Sequence, residues 1–187
     1  MAYMHDRQSF FSEDHPQRSV SAMDVATYRN AMARLGGAVS IISTDGPSGR
    51  HGFTASAVCS VTDTPPTLLV CMNNQSRQRS SFEENGVLCV NVLRGDHQHL
   101  SGIFANKHLD MEQRFQATPW STGHSGAPTM DEALVCFDCR ISEIHTVGSH
   151  SIFYCQVLNI DSAQHPEGLI YFDRAYHRVA APDQSAA

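Results

Sequence analysis

Seven short runs, 38–44, 52–61, 67–72, 87–93, 134–145, 151–160 and 168–172, are rich in β-branched and apolar residues and are separated by turn-forming residues. A run of that length cannot bury its apolar side alone, so such strands must pair edge to edge. Seven of them with turns between argue for a mainly β architecture, a closed or nearly closed barrel. The turn Asp45-Gly46-Pro47-Ser48-Gly49 joins the first two as a hairpin. Ahead of the strands, Val25, Tyr28, Met32 and Leu35 keep helical spacing, Ser21 with Asp24 makes a capping-box-like start, and Gly36-Gly37 ends the run. Two polar stretches, 76–85 and 108–115, read as short helices inserted between strands.

A chain of 187 residues suffices for one domain of ordinary size. Residues 21–178 form the expected body; 1–20 and 179–187, polar and aperiodic, read as a flexible arm and tail. The net charge of −6, with 17% of residues charged and no Lys/Arg run, argues against a surface that tracks nucleic acid or anionic lipid. Apolar runs such as 68–72 and 87–93 stop far short of the ~20 residues that cross a bilayer. Residues 1–16 are too polar for a signal peptide, so the expectation is a soluble, cytoplasmic protein without a membrane partner.

Six cysteines lie mostly inside apolar runs and read as small core residues rather than disulfide partners. Cys136 and Cys139 have metal-site spacing, but in a strand positions i and i+3 face opposite ways and no second pair follows, so core packing is expected rather than zinc or redox chemistry. His97 and His99 read as surface-loop residues, and His51, His145 and His165 are isolated; no metal site is expected. The chain lacks the glycine turn of a dinucleotide-binding fold, a P-loop, and the G-x-S-x-G elbow of a hydrolase.

The run from Gly52 to Cys71 carries Thr54, Ser56, Ser60, Thr62 and Thr64 in a segment that otherwise looks built for burial. Buried hydroxyls need partners. With small Ala55 and Ala57 among Thr54, Ser56 and Ser60, the strand makes a cradle for a phosphate or for the polar edge of a flat ring. Asn73, Gln75, Ser76 and Arg77 follow the next strand, His150 precedes another, and Arg174, Tyr176 and His177 end the ordered body. Polar residues at four strand ends point to one shared pocket.

The ordered series YRNAMARLGGAVSIIST, HGFTASAVCSVTDTPPTLLVCMN, FEENGVLCVNVL, LSGIFA, ALVCFDCRI, GSHSIFYCQV and YFDRAYH, spanning about residues 28–177, resembles the short-chain flavin reductases. These are reductase components of two-component flavin-dependent monooxygenases, similar to the 4-hydroxyphenylacetate and chlorophenol monooxygenase reductases and close to the FMN reductases of pyrimidine utilisation. The resemblance implies a split β-barrel of the FMN-binding type with a few short helices, a homodimer that binds FMN or FAD and takes hydride from NADH, less often NADPH. It implies that reduced flavin then diffuses to a partner monooxygenase. Carried over residue by residue, flavin contacts fall on Thr54, Ala55 and Ser56, on Ser60 and Val61, and on Gln75, Ser76 and Arg77. The nicotinamide side falls on Gly148-Ser149-His150, with His150 as the residue that orients the nicotinamide, and is bordered by Phe172, Arg174, Tyr176 and His177. Many relatives carry Asn where Ser56 stands. Arg174 either neutralises phosphate or pairs with Asp173. Hydride transfer belongs to the two cofactors, which fits a sequence with no acid, base or nucleophile constellation. The competing expectations are a flavin- or haem-binding barrel without turnover and an interaction domain.

Overall fold

The computed structural model describes residues 23–164 and 167–180. Ser21, His165, the arm at 1–20 and all of the tail beyond Ala180 lie outside the described residues.

The described residues up to Met32 belong to a unit of their own. Within it α1 covers Val25–Met32, and Asp24 Oδ2 accepts from the Thr27 backbone N–H at 2.8 Å and from Thr27 Oγ1 at 2.9 Å. Asp24 therefore caps α1, an aspartate reaching the orphan amide three residues ahead, while the Ser21 half of the expected box lies outside the described residues.

The second unit begins at Ala33. Its strands open with β1 (Gly37–Ala38), β2 (Ser40–Thr44), β3 (His51–Ala55), β4 (Val58–Asp63) and β5 (Pro66–Asn73). Then come α2 (Arg79–Asn85), β6 (Val87–Val92), α3 (Gln98–Ala105) and α4 (Met111–Phe115). The last elements are β7 (Trp120–Thr122), β8 (Pro128–Met130), β9 (Val135–Val147), β10 (His150–Ser162), β11 (Glu167–Phe172) and β12 (Ala175–Ala180). Mainly β is correct.

Seven strands pair antiparallel in the order β3-β2-β6-β9-β10-β5-β4, while β1, β11 and β12 make a smaller sheet and β7 with β8 a third. The run expected as one strand over 52–61 is two strands, and they are the two edges of the large sheet. Only Ser56 and Ala57 join them. Two connecting residues span about 10 Å at most between the flanking Cα atoms, so the sheet bends back until its edges approach at this end, yet no ladder closes it. Ala55 still pairs with Ser40 of β2, whereas the Ala57 carbonyl already accepts from the Cys71 amide of the β5 side at 3.0 Å. The seam thus passes through Ser56.

Every residue of β2 is buried, because alternate side chains enter two different cores. Ile41 packs with Leu93, Leu100, Phe104 and Phe115, and Ile42 with Leu68, Val70, Phe82 and Phe153. The same alternation sends Cys136 to the first core and Cys139 to the second, as their spacing predicts. Cys59 departs from the expected packing: it is exposed on edge strand β4. The hydroxyl run is likewise not buried, for Ser56, Ser60, Thr62 and Thr64 are exposed and only Thr54 is half-buried.

His97 corrects another expectation. It is 5% exposed, in a single 3-10 turn at Gly95–His97 that leads into α3. No helix among the described residues is long and apolar enough to cross a membrane.

Candidate functional site

Two clefts flank the seam and share Thr54, Ala55 and Ser56. The larger, about 290 Å³, has apolar walls from Phe53, Ala57 and Met72 and polar ones from Ser56, Asn73 and Ser76. The smaller, about 180 Å³, adds Val39, Ser101, Tyr171 and Tyr176. Small residues make the space: a Cβ on Gly37 would stand 3.1 Å from the Ser56 carbonyl, so glycine lets β1 approach the seam. Cys71 also lines the larger cleft, its thiol pKa pushed up first by burial and then by the neighbouring Cys59.

The hydroxyls of this region are not equivalent. Thr54 Oγ1 donates to the Ser101 carbonyl at 2.7 Å, so its one proton is committed within the chain. Ser101, fully buried on α3, in turn shares a 2.8 Å hydrogen bond with the Tyr176 hydroxyl, tying the seam to β12. Ser56 Oγ has no hydrogen-bond partner among the described residues.

Two turns stand beside the larger cleft. After β5, Asn73 Oδ1 accepts from the Gln75 amide at 2.8 Å and the Asn73 carbonyl from the Ser76 amide at 2.9 Å, which folds residues 73–76 into a tight turn. Gln75 and Arg77 are exposed on that turn, whereas Ser76 faces the cleft. Between β9 and β10, Gly148 and Ser149 make a two-residue hairpin loop, and Gly148 has φ +56°, a conformation glycine adopts without steric cost. His150 opens β10 in register with Asn73 of β5. Residues directly opposite in an antiparallel pair share a face, so His150 lies on the face of Asn73. The Ser149 hydroxyl and His150 Nδ1 are 2.9 Å apart, which orients the exposed imidazole.

The closing hairpin joins β11 to β12 through Asp173 (φ +45°) and Arg174 (φ +63°), the left-handed pair of a two-residue turn. Across it Phe172 faces His177 with ring centroids 5.9 Å apart, and Tyr171 faces Tyr176 at 5.2 Å.

The structure therefore brings Thr54, Ala55, Ser56 and Ser76 to one cleft, and Thr54, Ala55, Ser56 and Tyr176 to the other. Gln75, Arg77, Gly148, Ser149 and His150 occupy the adjoining turns without lining either cleft, and so do Phe172, Arg174 and His177 on their hairpin. Ser60 and Val61 lie further along the exposed edge strand and line neither. Sequence reasoning missed Ser101 and Tyr171 as lining residues; the LSGIFA run contains the former, but nothing local says that its hydroxyl reaches β12.

Residues 32–180 match the model of the flavin reductase like domain. FMN reductase (NADH) RutF of Variovorax paradoxus strain S110 is 52% identical over 167 residues, 89% of this chain and 92% of its own. Among solved structures, BorF, the flavin reductase component of a bacterial two-component tryptophan halogenase, has a TM-score of 0.78 at 28% identity over 84% of this chain and 99% of its own. The NADH:FAD oxidoreductase SgcE6 of Streptomyces globisporus C-1027, in complex with NAD and FAD fragments, has a TM-score of 0.78 at 25% identity over 86% and 95%. Both sequence and fold, taken with the seam and its paired clefts, place this chain in the flavin reductase like domain family.

Proposed function

We infer that this chain is an NADH-dependent flavin reductase built as a split β-barrel, the split being the unpaired seam at Ser56. The observation that carries the reading is the larger cleft, lined by Phe53, Ala57 and Met72 on its apolar side and by Ser56 and Asn73 on its polar side, with the His150 hairpin in register beside it. These residues fit a flavin. Phe53, Ala55, Ala57 and Met72 supply apolar surface for a ring, and Ser56 Oγ is a donor with no partner among the described residues. FMN or FAD would be held there by Thr54, Ala55, Ser56 and Ser76, with Gln75 and Arg77 beside them for phosphate and Ser60 and Val61 further along the seam. When both are bound, the nicotinamide supplies hydride from its C4 to flavin N5. The chain's part is orientation, with His150 positioning the nicotinamide and Phe172, Arg174, Tyr176 and His177 bordering it. The Thr54 hydroxyl, committed to Ser101, shapes the cleft rather than donating to the cofactor.

We place the protein in the cytoplasm, where six free thiols are stable, as a homodimer that hands reduced flavin to a partner monooxygenase. Dimerisation is supported by exposed Val147, Leu158 and Ile160 on β9 and β10, and the monooxygenase partner by the two-component system to which BorF belongs.

Purified protein should oxidise NADH at a rate that rises when FMN or FAD is added, and His150→Ala should raise the KM for NADH more than that for flavin. An NADH oxidation rate indifferent to added flavin refutes the reading.

A further inference from the structure

Asn74 lies within the 73–76 turn and bonds across to the Gly148-Ser149 loop and to the start of β10. Its backbone N–H donates to the Ser149 carbonyl at 2.9 Å, and its side-chain Nδ2 donates to the Gly148 carbonyl at 3.3 Å. Its Oδ1 accepts from Ser151 Oγ at 2.7 Å. The orientation of this amide is fixed by a third residue. Arg79 Nε, which can only donate, points at Ser151 Oγ at 2.9 Å, so the single hydroxyl proton of fully buried Ser151 goes elsewhere, to Asn74 at 2.7 Å rather than to Thr146 Oγ1 at 3.4 Å. That makes Asn74 Oδ1 the acceptor and turns Nδ2 toward Gly148.

The chain of bonds from Arg79 through Ser151 and Asn74 ends at the one carbonyl of the hairpin loop whose peptide plane sets Ser149, and Ser149 holds the His150 ring through its hydroxyl. The 73–76 turn is held independently, by Asn73. We propose, on the flavin reductase reading above, that Asn74 is a positioning residue for hydride transfer: it fixes the Gly148–His150 turn relative to the flavin cleft and so sets where His150 meets the nicotinamide.

The test is steady-state kinetics of wild type, Asn74→Ala and Asn74→Asp, varying NADH at saturating flavin and flavin at saturating NADH, with flavin affinity measured separately by fluorescence titration. Loss of one net hydrogen bond to the loop should raise the KM for NADH about fivefold in Asn74→Ala while flavin KM and Kd stay within about twofold. Asn74→Asp keeps the acceptor for Ser151 but turns a carboxylate oxygen onto the Gly148 carbonyl, so its KM for NADH should rise further. A side chain that served stability alone would move both KM values together or neither. Either result in an active background overturns the proposal while leaving the reductase reading intact. A wild type whose NADH oxidation ignores flavin overturns the reading and the proposal with it. Thermal melting identifies a variant that has not folded, and the near-isosteric Asn74→Asp then carries the same comparison.

Discussion

Arg114 on α4 is 5% exposed, and its guanidinium makes every one of its hydrogen bonds to backbone carbonyls. It donates to Gly52 at 3.3 Å and Phe104 at 3.0 Å in the buried interior, and to Leu109 at 3.2 Å and Asn106 at 2.7 Å nearer the rim. A planar fork suits this task, because four acceptors lie around one group and an ammonium cannot face them all. Truncation to alanine strands the carbonyls of Gly52 and Phe104 away from water, whereas those of Leu109 and Asn106 rehydrate at the rim. At about 1–3 kcal/mol for each buried group left without a partner, the two stranded carbonyls give a loss of about 2–6 kcal/mol, with about 4 kcal/mol as the working value. Arg114→Lys should recover about half of that loss. Urea unfolding followed by far-UV circular dichroism, with the slope unchanged between variants, reads the difference directly. A cost below about 1 kcal/mol for Arg114→Ala would refute the stranding argument, and a lysine variant as stable as wild type would show that the fork is not needed.

Gly52→Ala should also destabilise, because the added Cβ would stand 2.9 Å from Phe104 Cε1 and 3.2 Å from Phe115 Cζ, rings already packed edge to face at 5.3 Å. Overpacking of that kind costs about 1–3 kcal/mol and should lower Tm by roughly 5 °C in a scanning melt; an unchanged Tm would show that the rings can yield. The His97 imidazole has its pKa lowered from 6.5, chiefly by burial, with the carboxylates of Asp96 and Glu132 pulling the other way and Arg94 and His99 reinforcing the depression. The folded state therefore prefers the neutral ring, so its contribution is full above the unfolded value of 6.5 and shrinks as pH falls through and below it, where only the unfolded chain takes up the proton. The unfolding free energy of wild type minus that of His97→Gln should fall between about pH 7.5 and about pH 5.5, and a flat difference would contradict the sign.

The strands were legible because periodicity is local. All seven expected runs contain strands, and the DGPSG turn joins β2 to β3 as a hairpin. Other elements were hidden for definite reasons. The β12 sequence AYHRVA is mostly exposed and carries no apolar alternation to announce a strand; its partner β11 makes it one. Likewise α3 begins at Gln98 without a side-chain cap, so the buried faces of Leu100, Ser101 and Phe104, not its start signal, hold it in place. His97 looked like a loop residue for the same reason: burial is decided by β11 and β12 arriving from elsewhere in the chain, and no neighbour in sequence reports it.

The seam is the clearest instance of a global property written in local residues that cannot disclose it. Thr54 through Thr64 look like one hydroxyl-rich strand, yet the chain crosses from one sheet edge to the other at Ser56 and Ala57, and an edge strand keeps its polar side chains in the open. Once the edges are known the hydroxyls separate by task. Thr62 Oγ1 accepts from the Thr64 amide at 3.2 Å and Thr64 Oγ1 donates to Asp63, so both shape the β4–β5 turn. Thr54 is spent on Ser101, and Ser60 lines neither cleft. Ser56 alone among these described hydroxyls faces both clefts with its donor uncommitted. A short side chain at the crossing point leaves the cleft open between its apolar walls. On the proposed reading, recognition of the flavin there rests more on the backbone and apolar walls, and the hairpin that presents His150 is tied to Asn74 through the Gly148 carbonyl.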